Sequence, residues 1–164
     1  MLIRRLEQTD ENIGRLWAKF WEHRHQFPLG TGDSLDRFIP WACSPNTVIH
    51  ELDDFGGVVY WTGIFKPPPP DMGEASAYLH VFIWDRKVFG KWRDLRKARA
   101  WFLDDVGIDR AYSLNVESES KLAQKMLLRL SFRKIGAIRR MRQPNGSTHD
   151  MALYELIRAD INGE

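Results

Sequence analysis

The residues of this chain best suited to chemistry lie in and just behind its most apolar segment, 75–84. His80 is the one side chain there whose ordinary pKa is close to neutrality, which makes it the candidate proton acceptor. Strand alternation puts Tyr78, His80 and Phe82 on one face of this segment and Leu79, Val81 and Ile83 on the other. Directly behind it runs Lys87-Val88-Phe89-Gly90-Lys91-Trp92, a basic, glycine-containing turn that opens a helical stretch. Backbone N–H groups of such a turn, with the positive end of the helix dipole, bind phosphate. On these residues alone two readings stay open for each feature. His80 is either a proton acceptor or a hydrogen-bonded strand histidine, and the turn is either a phosphate cradle or an ordinary helix start.

Other groups narrow the chemistry. The net charge of +2 hides two bunches of cations. One comprises Arg86, Lys87, Lys91, Arg93, Arg96, Lys97 and Arg99, and the other Arg129, Arg133, Lys134, Arg139, Arg140 and Arg142. Segment 86–99 suits an acidic protein or a nucleic acid, with Trp92 or Trp101 as stacking surfaces, or else forms a solvated helix face. His23, His25 and Glu22 lack further ligands at zinc spacing, so no metal is expected. Cys43 is the only cysteine, which excludes an intrachain disulfide, and with no basic neighbour it is expected to pack rather than react. No stretch approaches the roughly 18 apolar residues of a membrane span, and the first residues lack a signal-peptide pattern. A cytoplasmic location away from membranes is the expectation.

The elements that must position these groups follow from periodicity. Residues 2–6 read as a short strand. Thr9 or Asp10 then caps a helix with Ile13, Leu16, Trp17, Phe20 and Trp21 on one stripe, and Ser34 caps a shorter one with Leu35, Phe38 and Ile39, closed by Pro40 and Pro45. Segments 47–52 and 58–65 predict an antiparallel hairpin about the turn 53–57. Prolines 67–70 predict a stiff connection rather than a ligand for a proline-binding module. After the strand at 75–84, Trp92, Leu95, Ala98, Phe102 and Leu103 share a helical face that Gly107 ends. A strand at 111–116 follows, then a helix through Leu122, Ala123, Met126, Leu127 and Leu130 that Ser118 or Ser120 can cap. Strands at 135–141 and 151–157 close the chain around the turn 143–147. The expectation is one domain over 1–164, with a mixed sheet and helices packed on it.

That order of elements, the hairpin about Gly56-Gly57, and the closing run Ser131-Phe132-Arg133-Lys134-Ile135-Gly136 resemble the GCN5-related N-acetyltransferase (GNAT) superfamily over nearly the whole chain. The resemblance implies an α/β fold, more closely an α+β arrangement in which a central mixed antiparallel and parallel sheet is flanked by helices. It implies acetyl-CoA as co-substrate, an amine of a small molecule or protein as acceptor, and no metal. It places the cofactor along Val81 and Ile83, at the loop Lys87, Val88, Phe89, Gly90, Lys91 and Trp92, and at Ser120, with His80 as catalytic base. Two positions depart from the family pattern. Trp92 stands where a small residue is expected, and Leu127 stands near a position that often carries a tyrosine acid. Trp92 shares a face with Leu95 and is therefore expected to be mostly buried, a placement that leaves the cofactor groove open; weak CoA binding is expected beside it. These departures resemble those of small phage-encoded GNAT-like proteins, which implies the alternative of a catalytically eroded binding or assembly component. The basic segment 86–99 implies a further alternative, a nucleic-acid-binding domain.

Overall fold

The computed structural model describes residues 1–24, 34–68, 73–117, 121–142 and 146–161. In chain order these form β1 (Ile3–Arg5), α1 (Asp10–Glu22), α2 (Leu35–Ala42), β2 (Val48–Leu52), β3 (Gly57–Phe65), β4 (Ser76–Ile83), α3 (Arg86–Phe89), α4 (Trp92–Lys97), α5 (Arg99–Val106), β5 (Arg110–Val116), α6 (Lys121–Arg129), β6 (Arg133–Arg142), β7 (Thr148–Ile157) and α7 (Arg158–Ile161). The strands make one seven-stranded sheet in the order β1-β2-β3-β4-β5-β7-β6. All neighbours are antiparallel except β4 and β5, which run parallel because α3, α4 and α5 carry the chain back between them.

Each face of the sheet has its own apolar core. On one, Ile13, Leu16 and Phe20 of α1 and Phe38 and Ala42 of α2 pack on Ile49, Val58 and Tyr60. On the other, Leu95 of α4, Phe102, Leu103 and Val106 of α5 and Leu127 of α6 pack on Val59, Trp61, Leu79, Tyr154 and Leu156. The helix start at Thr9 is as expected, its side chain accepting from the Asn12 N–H. The predicted stripes are only partly buried. Trp21, Leu35, Ile39 and Leu122 are exposed, because each helix presents a narrower face to the sheet than its apolar residues span. Pro40 does not close α2 but sits inside it, where its missing N–H is tolerated in so short a helix. Cys43 is exposed, not packed. The helix expected from 92 to 107 is broken at Ala98 into α4 and α5, and the closing strands are longer than expected.

The turn between β2 and β3 governs the end of β4. Asp53, Asp54 and Phe55 all adopt left-handed backbone, with φ of 46°, 53° and 61°, and this coils the chain so that Gly56 meets the end of β4. The Gly56 carbonyl accepts from the N–H groups of Trp84 (3.3 Å) and Asp85 (2.9 Å), and the Phe55 carbonyl accepts from the Trp84 indole. Contact is too close for side chains: a Cβ on Gly57 would lie 2.8 Å from the Phe82 carbonyl oxygen. At the far edge, β6 is exposed along almost its whole length and carries two register shifts, between Lys134 and Gly136 and between Ile138 and Met141.

A backbone oxygen cannot yield as a side chain can. Gly57→Ala is therefore expected to cost about 1–3 kcal/mol, read as a lowered urea midpoint. Gly136→Ala meets nothing within 4 Å and is expected to stay within about 0.5 kcal/mol of the parent.

Candidate functional site

The site begins as a gap in the sheet. β4 and β5 pair only at Ser76 with Arg110, Ala77 with Ala111 and Tyr78 with Tyr112. Beyond that point both strands continue, β4 to Ile83 and β5 to Val116, but they diverge. β4 keeps its ladder with β3 from Gly57 opposite Ile83 to Thr62 opposite Tyr78, which leaves its other backbone edge turned to the gap. The result is a fork whose near wall is 79–83. Val81 and Ile83 line its α4–α5 face, half-buried against that core. A small cavity of about 30 Å³ lies beneath, among Trp61, Leu79, Val81, Phe102 and Leu156.

On the α1–α2 face, β4 presents alternating aromatic rings. Tyr78 is exposed, while His80, Phe82 and Trp84 are half-buried. Phe82 packs edge-on against Phe20 with centroids 5.0 Å apart, and His23 stacks on Trp84 at 5.8 Å. His80 lies parallel to Phe82 and 5.9 Å from the Tyr60 ring. Its Nε2 is 3.2 Å from the Thr62 hydroxyl. Desolvation among these rings pushes the His80 pKa down to about 4, so the imidazole is neutral at physiological pH. This corrects the sequence expectation of a base titrating near the ordinary histidine value.

The loop expected to cradle a diphosphate is already satisfied internally. The Asp85 carboxylate caps α3 by accepting from the Lys87 N–H at 2.8 Å. The N–H groups of Val88 and Phe89 bond to the Asp85 carbonyl, that of Gly90 to the Arg86 carbonyl, and that of Lys91 to the Val88 carbonyl. Lys91 Nζ is 2.6 Å from Asp53 Oδ2, and this partner, with the Leu2 N–H, holds the Asp53 carboxyl below its ordinary value. The Val88 side chain is buried, while Lys87 and Phe89 are exposed. Gly90 has ordinary right-handed backbone, and a Cβ there would meet nothing closer than 3.6 Å.

Trp92 is not the core residue expected. It is half-buried, with the Arg93 and Arg129 guanidinium groups 5.6 and 5.4 Å from its ring centroid, and so bridges α4 to the end of α6. Leu127 is a buried core residue. Tyr154 is buried too, its hydroxyl donating to Gln124. Ser120, Ser118 and His25 lie outside the described residues. The basic segment 86–99 is not one surface: Lys91 is paired, Arg99 is buried and bonds the Leu130 carbonyl and the Ser131 hydroxyl, and Arg86, Lys87, Arg93, Arg96 and Lys97 face solvent. Among the described residues, no group of three or more His, Cys, Asp or Glu is placed to hold a metal ion, and no helix is long and apolar enough to cross a membrane.

A further polar cluster is assembled by long-range contacts that no local motif announces. His50 on β2 is fully buried, with Nε2 2.8 Å from Asp105 Oδ2 and Nδ1 accepting from the Trp61 indole at 3.1 Å. An indole N–H only donates, so Nδ1 is unprotonated and Nε2 carries the hydrogen. Burial lowers the His50 pKa although Asp105 opposes it.

No protein-family model matches this chain, and no curated protein matches its sequence. Solved structures do match in fold. A ribosomal-protein-S5-alanine acetyltransferase from Vibrio fischeri aligns over 96% of this chain and 94% of its own, at 17% identity and a TM-score of 0.66. A spermidine N-acetyltransferase SpeG chimera from Vibrio cholerae and hSSAT aligns over 100% of both chains, at 14% identity and a TM-score of 0.71. Mycobacterium smegmatis RimJ in complex with CoA-disulfide aligns over 96% of this chain and 83% of its own, at 14% identity and a TM-score of 0.69. The fold is that of the GNAT acetyltransferases, as the resemblance implied.

Both histidines have folded-state pKa values below 6.5, so between pH 6.5 and about 4 the unfolded chain binds more protons than the folded one. Stability present above pH 6.5 is therefore lost as pH falls through this window. Urea midpoints measured from pH 7.5 to 4.5 are expected to decline, and His80→Gln is expected to flatten that decline.

Proposed function

We propose that this chain is an N-acetyltransferase of the GNAT type that binds acetyl-CoA weakly and transfers its acetyl group to an amine. The observation that carries the reading is the fork between β4 and β5, which leaves 79–83 with a backbone edge for a pantetheine arm and an apolar floor beneath it. The fold shared with acetyltransferases, one of them solved with CoA-disulfide, supports it. The loop is the part that does not fit. A diphosphate needs N–H groups turned outward, whereas those from Lys87 to Lys91 are bonded within the loop, and the Asp85 carboxylate repels an anion. Lys87, exposed beside them, is left as the loop cation for a phosphate, with Val81 and Ile83 beside the arm and Ser120 proposed to bond it.

In the transfer, the amine nitrogen bonds the acetyl carbon, the carbon–sulfur bond breaks with its electron pair leaving on sulfur as the CoA thiolate, and the amine must lose a proton. His80 is the proposed acceptor. It is neutral at physiological pH, as an acceptor must be, and the Thr62 hydroxyl at its Nε2 gives the proton a route onward. A base this weak supplies only the lower part of the usual range of general-base catalysis. The acceptor would meet the aromatic face of Tyr78, His80 and Phe82, whose π surfaces bury an apolar body.

A second reading, a catalytically eroded binding or assembly component, draws on that same satisfied loop. Calorimetric titration and thiol release together decide between them. The enzyme reading expects acetyl-CoA to bind with Kd of about 10⁻⁴ M or weaker, and Asp85→Asn to tighten binding several-fold by removing the carboxylate charge. His80→Phe should slow turnover about 10²-fold with little change in affinity. The rate should show no inflection near pH 6.5 attributable to His80. Absence of both binding and turnover would leave the component reading.

A further inference from the structure

A second opening lies at the other end of the sheet from the mouth of the fork, where β3 ends and β4 begins. It has a volume of about 520 Å³, within the range of pockets that take small molecules. Three elements that are far apart in sequence supply its charged groups: Arg5 at the end of β1, Lys66 after β3 and Asp105 near the end of α5. Val48, Ile64 and Val106 supply an apolar floor, and the Asn46 amide adds a hydrogen-bonding edge.

The charges are unequal. Arg5 uses Nη1 on Asp105, 3.3 Å from both its carboxylate and its carbonyl oxygen. That interaction offsets the one carboxylate of the pocket. Lys66 carries the remaining charge: its Nζ sits over Gly107 at the end of α5, 2.9 Å from where a Cβ would be. The pocket therefore presents an excess positive charge beside an apolar floor. A small anion with a short apolar body matches both features, and a neutral or cationic body of the same shape matches only one.

The pocket is also tied to the interior. Asp105, which lines it, holds the Nε2 hydrogen of the buried His50, whose other nitrogen receives the Trp61 indole. Two rows of paired residues then cross the sheet from this corner to the fork. Arg5 pairs with His50, His50 with Val59 and Val59 with Val81; Val48 pairs with Trp61 and Trp61 with Leu79. A ligand that draws Arg5 toward itself changes what Asp105 bonds, and His50 is the first buried group to register it.

We propose that this pocket is a second ligand site, for a small carboxylate with a short apolar body held between Arg5 and Lys66, and that its occupancy is sensed at His50 through Asp105. It stands independently of acetyl transfer.

The test uses benzoate, with benzamide as the neutral molecule of the same shape. Titration calorimetry is expected to show saturable benzoate binding with Kd of about 1 mM or tighter, and binding of benzamide at least about tenfold weaker. Lys66→Ala and, separately, Arg5→Ala should each weaken benzoate about fivefold or more, with thermal melts confirming that each variant is folded. In nitrogen-15 spectra of histidine-labelled protein, the His50 ring signals should shift along the same saturation curve, and in Lys66→Ala this curve should move to correspondingly higher benzoate. Failure to saturate by about 10 mM benzoate, equal binding of benzamide, or binding unchanged in both variants would overturn the site. Saturable binding with no shift at His50 would overturn the link through Asp105.

Discussion

The structure depends on a constraint at β4: it has a full partner on one side and a three-residue partner on the other. β3 pairs with β4 from Thr62 opposite Tyr78 up to Gly57 opposite Ile83, and β7 pairs with β5 from Arg110 to Val116, so neither strand is free to bend back to the other beyond Tyr78 and Tyr112. A parallel neighbour reached through three helical pieces has no tight turn to hold its register. Its divergence opens the sheet between two otherwise ordinary strands. The clamp at Gly56 reinforces this, since its carbonyl takes the N–H groups of Trp84 and Asp85 and ends β4 where the loop begins.

Two consequences of that clamp pull against each other. It fixes the loop after β4 in one place, which a binding site needs. It also brings Asp53 within reach of Lys91 and turns 85–91 into consecutive short hydrogen-bonded turns. A loop whose amides are satisfied by its own carbonyls is stable without a ligand and gains little by meeting one. The fork is open while the loop beside it is self-sufficient.

How much of this was legible in the sequence depended on the range of the interactions involved. Alternation alone separated Tyr78, His80 and Phe82 from Leu79, Val81 and Ile83, and the α1 stripe and the Gly107 stop were read from local spacing. The order of elements gave the fold class through resemblance. Long-range contacts were not legible. Nothing local to His50 announces that Asp105 and Trp61 will meet it, because they come from α5 and β3. His80 is locally indistinguishable from an ordinary histidine, because its low pKa comes from burial by neighbouring elements that its own segment does not announce. The spacing of Trp92 to Leu95 predicts a core residue, yet the ring is half-buried and the Arg93 and Arg129 guanidinium groups both pack on it. Apolar spacing says which face a side chain shares, and it does not say whether another element covers that face.

The outer strand β6 has a further meaning. It is the last strand of the sheet, ten residues long and open along its outer backbone, which is the form of edge that recruits other strands. It is not flat, however. The register shifts on either side of Gly136–Ile138 bend it, and Arg140 adopts a left-handed backbone with φ of 52°. Arg133, Lys134, Arg139, Arg140 and Arg142 space positive charge along it, three of them anchored inward to Glu155, Glu117 and Asp150. A second strand laid along this edge would meet a kinked ladder and an array of like charge. The chain thus carries, in the irregularities of one strand, its own protection against growing into a fibril.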